Sequence, residues 1–240
     1  MKFAVSSSEL LKGLLTVSKA IPSKATEAIL EDYLFSLSGD LLEVTASDKE
    51  ITMKTSIAVD NKEGDGRIAV PARQLNDLLR ELPDQPLTIR TISENQFECA
   101  WASGESSLPY FNPDDYPECQ TTGPDAITVE FPAMTLVDGI SRTIYASSDE
   151  DNRPVMNSIF FDINPDSTTL VASDLQKLTC YTADDVKAEN PCSFILNKRH
   201  AAVIKSIIGK DVESVKVTFD ARTVVFRYDG TVIICCLVVG

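Results

Sequence analysis

The sequence is poor in the residues that most chemistry needs. It has one histidine, His200, and one tryptophan in 240 residues. A single histidine is too few for most histidine-based metal sites. No P-loop, GxGxxG or HExxH motif occurs, which removes the best-marked phosphate, dinucleotide and zinc-protease sites. The six cysteines (Cys99, Cys119, Cys180, Cys192, Cys235 and Cys236) never fall at CxxC spacing. Neither a zinc ribbon nor a redox pair therefore has support. They are expected as free thiols, mostly packed as small apolar residues. No uninterrupted apolar run approaches the roughly 20 residues of a membrane helix. The start, MKFAVSSSELLKGLL, has serines and Glu9 where a signal peptide needs its apolar core. The expectation is a cytoplasmic protein without membrane contact.

Positive charge is also scarce. There are 22 Lys+Arg against 36 Asp+Glu, a formal net charge of -14. Taken whole, this argues against nucleic acid, because clustered cations carry phosphate binding. Net charge, however, says nothing about where the charges sit. Apolar residues make up 43% and charged residues 24%, the balance of an ordinary folded domain. Disorder and collagen-like structure are excluded on that ground, and the length suits one large domain or two small ones.

What is present is a repeat. Ala46-Ser47-Asp48 recurs 126 residues later as Ala172-Ser173-Asp174. Ile68-Ala69-Val70 leads to Arg73, and Phe194-Ile195-Leu196 leads to Arg199, again 126 residues on. The same shift sets Leu10 on Leu136, Leu14 on Ile140, Leu34-Phe35 on Phe160-Phe161, and Ile89 on Val215. Several matches at one offset predict two homologous domains. Residues 109–126, PYFNPDDYPECQTTGPDA, are rich in proline and acid, as turns and linkers are. Domain one is placed at 1–118, a linker at 119–126 and domain two at 127–240.

Each unit reads alike. A short strand (Lys2–Val5; Thr128–Phe131) enters a helix whose apolar stripe is Leu10, Leu11, Leu14, Val17 and Ile21, or Leu136, Val137, Ile140 and Ile144. Ser6-Ser7-Ser8 offers N-cap hydroxyls to the first helix. Strands follow at Tyr33–Ser38, Leu41–Ser47 and Ile51–Val59, and at Ser158–Ile163, Thr168–Ser173 and Lys177–Tyr181. A further strand leads into a second helix striped by Leu75, Leu78, Leu79 and Leu82, or by Ala201, Ile204, Ile207 and Ile208. More strands close each unit. The fold class is α+β, with two helices packed on one side of mostly antiparallel sheet.

The helices divide the charge. Segments 7–24 and 197–210 carry +2 and +4, and segments 71–82 and 132–147 are neutral. The rest of the chain then holds -20. Such polarity suits a solvated helix face, but the last helix is an exception. Lys198 and Arg199 sit in its first turn, where the helix dipole disfavours cations by roughly a few tenths of a kcal/mol. An anionic partner would offset that, and backbone N–H groups there would add to phosphate attraction. Any nucleic-acid contact would be to backbone phosphate, without sequence reading. His200 is expected at the surface beside Arg199. The acid pairs Asp114-Asp115 and Asp149-Glu150-Asp151 read as solvated loop charge. No catalytic residue, metal or cofactor is expected.

Five segments together carry a family resemblance. They are MKFAVSSSELLKGLLTVSKAIPSK, IAVPARQLNDLLRELPD, the FNPDDYP run, DNRPVMNSIFFDI and VASDLQKL. In order, from Met1 to Gly240, the sequence resembles the bacterial DNA polymerase III beta subunit, the sliding clamp. The resemblance implies a clamp fold, helices lining a channel around duplex DNA, and an acidic exterior. It implies tethering of the replicative polymerase rather than catalysis. By position, Lys24 resembles a DNA-contacting loop residue, and Arg73 and Arg199 match basic channel-helix positions. Lys198 and Lys205 of the last, most basic helix join them as DNA-binding candidates. Glu150 stands where the family has a polar DNA-facing residue, a departure.

The resemblance also implies a groove for short peptides of polymerase, clamp loader and repair proteins. Its domain-two side is Met156, Ser173, Leu175, Gln176, Lys177 and Leu178. The family's Asp-Gly-His-Arg/Lys-Leu pattern is replaced here by Asp174-Leu175-Gln176-Lys177-Leu178. The family chain has three domains and dimerises into a ring. The sequence ends at LVVG, about where a third domain would begin; a fragment of a three-domain clamp is favoured over a complete two-domain chain, which could close a six-domain ring only as a trimer. Two other readings stay open: an acidic protein-interaction module that never meets DNA, and an enzyme using the acidic loops with a divalent cation.

Overall fold

The computed structural model describes residues 1–150 and 152–240; the predicted loop charge at Asp151 lies outside the described residues. The chain divides into two compact units, Met1–Cys119 and Gln120–Gly240. Both are α+β, and every strand pairing given below is antiparallel.

Unit one opens with β1 (Lys2–Ser6), which runs directly into α1 (Ser7–Val17). Three strands follow, β2 (Asp32–Ser38), β3 (Leu41–Ser47) and β4 (Ile51–Ala58), then a short β5 (Asp60–Glu63). β6 (Gly66–Pro71) enters α2 (Ala72–Arg80), and β7 (Pro86–Thr91), β8 (Gln96–Trp101) and β9 (Gly104–Pro109) close the unit. The strands form two sheets, ordered β5-β1-β7-β8-β9 and β4-β3-β2-β6. β5 has no counterpart among the strands expected from sequence. Its residues, DNKE, have no apolar alternation, and it exists because the edge of β1 offers it backbone partners.

The three-serine cap resolves onto Ser6, whose hydroxyl accepts the Glu9 N–H at 3.4 Å. The apolar stripe of α1 is the buried face, with Leu10, Leu14 and Val17 fully enclosed. The α-helix stops earlier than segment 7–24. A single 3-10 turn, Ser18–Ala20, leads to Ile21, which is extended because Pro22 follows it. Lys24 therefore stands in the loop beyond. The Tyr33 hydroxyl donates to the Leu14 carbonyl at 3.1 Å and accepts from Asn76 Nδ2 at 2.8 Å, tying β2 to both helices.

Unit two repeats this order: β10 (Ile127–Pro132), α3 (Ala133–Thr143), β11 (Ser158–Ile163), β12 (Thr168–Ser173), β13 (Leu178–Ala183) and β14 (Cys192–Asn197). Then come α4 (Lys198–Ile207), β15 (Ser214–Phe219), β16 (Thr223–Tyr228) and β17 (Thr231–Cys236). Its sheets are β10-β15-β16-β17 and β13-β12-β11-β14. Between them Phe161 stacks on Phe194 at 4.5 Å and meets Phe131 edge-on at 6.5 Å, while Phe219 lies 4.7 Å from Phe194.

Both ends of α1 and of β6 recur 126 residues later in α3 and β14. Even the close helix–sheet approach is repeated. A Cβ on Gly13 would lie 2.6 Å from Ile57 Cδ1, and one on Gly139 would lie 3.0 Å from Leu170 Cδ2. The offset does not hold to the end. Val5 pairs with Leu87 and its counterpart Phe131 pairs with Val215, so Val215 answers Leu87 rather than Ile89. α4 and the loop after it are each one residue longer than in unit one, which moves the closing strands along.

The expectation for His200 is overturned. It is 2% exposed, because it shares the inward face of α4 with Ala201 and Ile204. Among the described residues neither ring nitrogen has a hydrogen-bond partner, and burial beside Arg199 pushes its pKa down to about 4. Among the cysteines, Cys99 and Cys235 are buried and Cys180 is exposed. Burial pushes the Cys99 thiol up to about 12.

Candidate nucleic-acid interface and peptide-docking surface

The basic candidates fall on the solvent side of the helices. In unit one, α1 packs on β3, β4 and α2 through its apolar stripe, leaving Lys12 exposed. Lys19 and Lys24 follow in the exposed turn and loop. On α2, Arg73 and Arg80 flank Asp77 at 3.9 and 3.5 Å. Both pairs are solvent-exposed and hold their guanidinium groups only weakly.

In unit two, the Asn197 side chain caps α4 by accepting the Arg199 N–H at 2.8 Å. The Arg199 side chain is exposed, and Lys205 lies half-buried in the last turn. Lys198 differs from its sequence reading. Its Nζ donates to Asp149 Oδ1 at 2.6 Å and to the Ser147 carbonyl at 3.3 Å. This bond holds the Asp149 carboxyl below the usual range. The cation at a helix N-terminus is thus answered within the chain and does not require nucleic acid. Glu150 is likewise engaged, 3.5 Å from Arg153.

The groove candidates surround the β12–β13 turn. Asp174 Oδ1 accepts the N–H groups of Gln176 and Lys177 at 3.0 and 2.9 Å, and Oδ2 takes Lys177 Nζ at 2.6 Å. Those bonds bring the Asp174 pKa down to about 2. Ser173 Oγ accepts the Leu175 N–H at 3.1 Å and donates to the Lys177 carbonyl at 2.9 Å. The turn holds Leu175 at φ 76°, a left-handed conformation that glycine adopts freely and leucine does not. Lys49, at the matching turn of unit one, has φ 78°.

Leu175 and Leu178 are 69% and 66% exposed. Ser173 faces Leu178 across the hairpin. Strand alternation puts Phe160, Val171 and Cys180 on the same outer face. Sequence reasoning passed over Tyr145, an exposed ring whose hydroxyl accepts from Thr179 Oγ1 at 2.9 Å on the opposite face, the one that carries α3. It also missed exposed Val155, beside half-buried Met156. The backbone of Leu175 and its exposed side chain both carry a cost. Replacing Leu175 with glycine is expected to raise stability by up to about 1 kcal/mol. It should also weaken capture of a peptide at this surface. Lys49→Gly should give the same stability gain, read by chemical denaturation, without weakening peptide capture.

Among the described residues no group of three or more His, Cys, Asp or Glu could hold a metal ion. Among the same residues no helix is long and apolar enough to cross a membrane.

Two α+β units, each with two helices laid on antiparallel sheet and repeated within one chain, define the architecture of a DNA clamp. Residues 1–120 match the family model of the DNA polymerase III beta subunit, N-terminal domain. The chain belongs to the DNA polymerase III beta subunit family. The beta sliding clamp of Synechococcus elongatus is 23% identical over 235 residues, covering 95% of this chain and 62% of that protein. That of Synechocystis sp. is 27% identical over 230 residues, covering 92% and 56%. A putative DNA polymerase III beta subunit from Eubacterium rectale superposes with a TM-score of 0.93 at 25% identity, over all of this chain and 66% of that one. The Pseudomonas aeruginosa subunit gives 0.94 at 22% identity, over all of this chain and 65% of that one. The chain thus spans between half and two-thirds of the length of these relatives.

Proposed function

We propose that this chain provides two units of a DNA sliding clamp, a processivity factor that encircles duplex DNA and tethers the replicative polymerase. One observation carries the reading. The unit that matches the family over residues 1–120 recurs 126 residues later, with +6 gathered on helix-bearing segments and -20 elsewhere. The domains run over 1–118 and 127–240, joined by 119–126. In the full-length protein these units self-associate into a ring, the helices face the duplex, and the acidic remainder repels DNA from the outside. A ring holds its substrate by topology, so weak phosphate contacts suffice and sliding is preserved.

Lys24, Arg73 and Arg199 are the principal phosphate contacts, with Lys205 and Lys198 contributing to the field. DNA polymerase III and clamp loader subunits dock short peptides against Met156, Ser173, Leu175, Gln176, Lys177 and Leu178. The protein works in the cytoplasm and performs no catalysis of its own.

The test uses full-length protein placed on DNA by its loader. Release from nicked circular DNA should be far slower than release from the same DNA linearised. Equal release rates would sink the clamp reading and leave an acidic interaction module in its place. For the DNA-facing cations, Arg199→Ala should reduce the slope of log affinity against log salt by about 0.9 for each phosphate that Arg199 neutralises. An unchanged slope would remove Arg199 from the interface.

A further inference from the structure

The two units match strand for strand except at one edge. In unit one the outer edge of β1 is covered by β5, with Lys2 opposite Glu63 and Ala4 opposite Asp60. Lys2 and Glu63 are ion-paired at 2.5 Å. Met1 heads this strand, and its side chain lies against Gly66, where an added Cβ would be 3.4 Å from Met1 Cβ and 3.6 Å from its sulfur. At the 126-residue spacing, Ile127 stands for Met1 and Cys192 for Gly66.

Unit two has no counterpart of β5 among the described residues, and β10 is the end strand of its sheet. The segment that would correspond to β5, residues 186–189, is turned elsewhere. Val186 is buried and its carbonyl accepts from Thr168 Oγ1 at 2.8 Å, while the Ala188 N–H donates to the Asn164 carbonyl at 3.2 Å. A cavity of about 570 Å³ remains beside the start of β10, lined by Pro124, Ile127, Cys192, Phe219 and Arg222 among others. Ile127 is 43% exposed at its mouth.

An uncovered strand edge is a template for a further strand. Pro124 and Pro132 have no N–H, which bounds the template to residues 125–131. Asp125 and Asp220 line the cavity with Arg222. Asp162 is paired across the strands with Ser193 of the lining, which puts a third carboxylate beside it. Along the edge, Glu130 is exposed opposite Lys216. Four acids against two cations make this surface net acidic.

We infer that the outer edge of β10 and its cavity form a docking site for an extended basic peptide of a partner protein. The peptide runs antiparallel to β10, as β5 does to β1. It places one unbranched apolar side chain in the cavity, as Met1 is placed in unit one. β14 and β13 are opposite edges of their sheet, so this site is distinct from the leucine-bearing turn.

The probe is a fluorescein-labelled nonapeptide of alternating lysine and threonine about one central methionine, titrated into the full chain. Polarisation should saturate, and added salt should weaken it. Amide exchange of residues 125–131 should slow in the complex. Affinity should fall by about tenfold or more when alternate peptide nitrogens are methylated, or when Cys192→Trp fills the cavity. Ile127→Asp, at a residue already part-exposed, gives the same loss if the tryptophan variant fails to fold. The inference is overturned by absent binding, by equal affinity for the methylated peptide, or by protection confined to residues 174–178. It is also overturned if β10 is protected without peptide in a concentration-dependent dimer, which would make a second copy of the chain the occupant.

Discussion

Replacing Phe161 with alanine is expected to destabilise the chain by about 3–5 kcal/mol, the range for a large aromatic removed from a packed core. Phe161 is fully buried and sits between two other rings, 4.5 Å from Phe194 and 6.5 Å from Phe131. Both sheets of unit two contribute to this cluster: Phe161 and Phe194 come from one, Phe131 and Phe219 from the other. Truncation strips packing from both sides at once, and the flanking rings cannot close the space without leaving their strands. The urea midpoint should fall sharply, while Phe160→Ala, one residue away but on the outer face, should cost far less. Similar losses at the two positions would contradict the alternation that places one ring inside and the other outside.

Stability between pH 7 and pH 4.5 is expected to move in opposite directions in two single variants. His200 ionises near 4 in the folded chain against 6.5 for an unperturbed side chain, because burial disfavours its charged form. The unfolded chain therefore takes up a proton first, and stability is lost as pH falls through this window. Asp32 is the reverse. Burial and the nearby Glu31 raise its pKa from 3.8 to about 6, so the folded chain holds a proton that the unfolded chain has released. Its contribution is therefore lost as pH rises through the same window.

Each shift is worth about 2 kcal/mol between pH 7 and pH 4.5, and in the unmodified chain the two largely cancel. Asp32→Asn should expose the histidine and make the chain less stable on acidification. His200→Leu should expose the aspartate and make it more stable. The leucine should be tolerated at pH 7, since among the described residues neither ring nitrogen has a hydrogen bond to lose. Parallel pH profiles for the two variants would refute both assignments.

Much of the fold is legible in the sequence. Helix stripes such as Leu10, Leu14 and Val17 are read correctly because burial follows the 3.6-residue period along a single helix. The early end of α1 is marked by Pro22, although the charge of segment 7–24 is summed as a whole. β5 is not legible, because a strand made by pairing with an edge needs no apolar alternation of its own. His200 is misread because its neighbour Arg199 is exposed, whereas the helix period sets it with Ala201 and Ile204. The β12–β13 turn is singled out through the family pattern. Its strain is not visible there, since Leu175 declares a leucine but not a left-handed φ.

The sequence by itself determined the repeat, the helices, most strands and the gathering of cations on helix-bearing segments. All of these are local patterns, or local patterns copied at one spacing. Tertiary structure alone decided that Lys198 is answered by Asp149, 49 residues away, and that residues 186–189 turn from β10 and leave its edge open. Such outcomes depend on which distant groups compete for one donor or one strand edge. Periodicity along a chain carries no term for that competition.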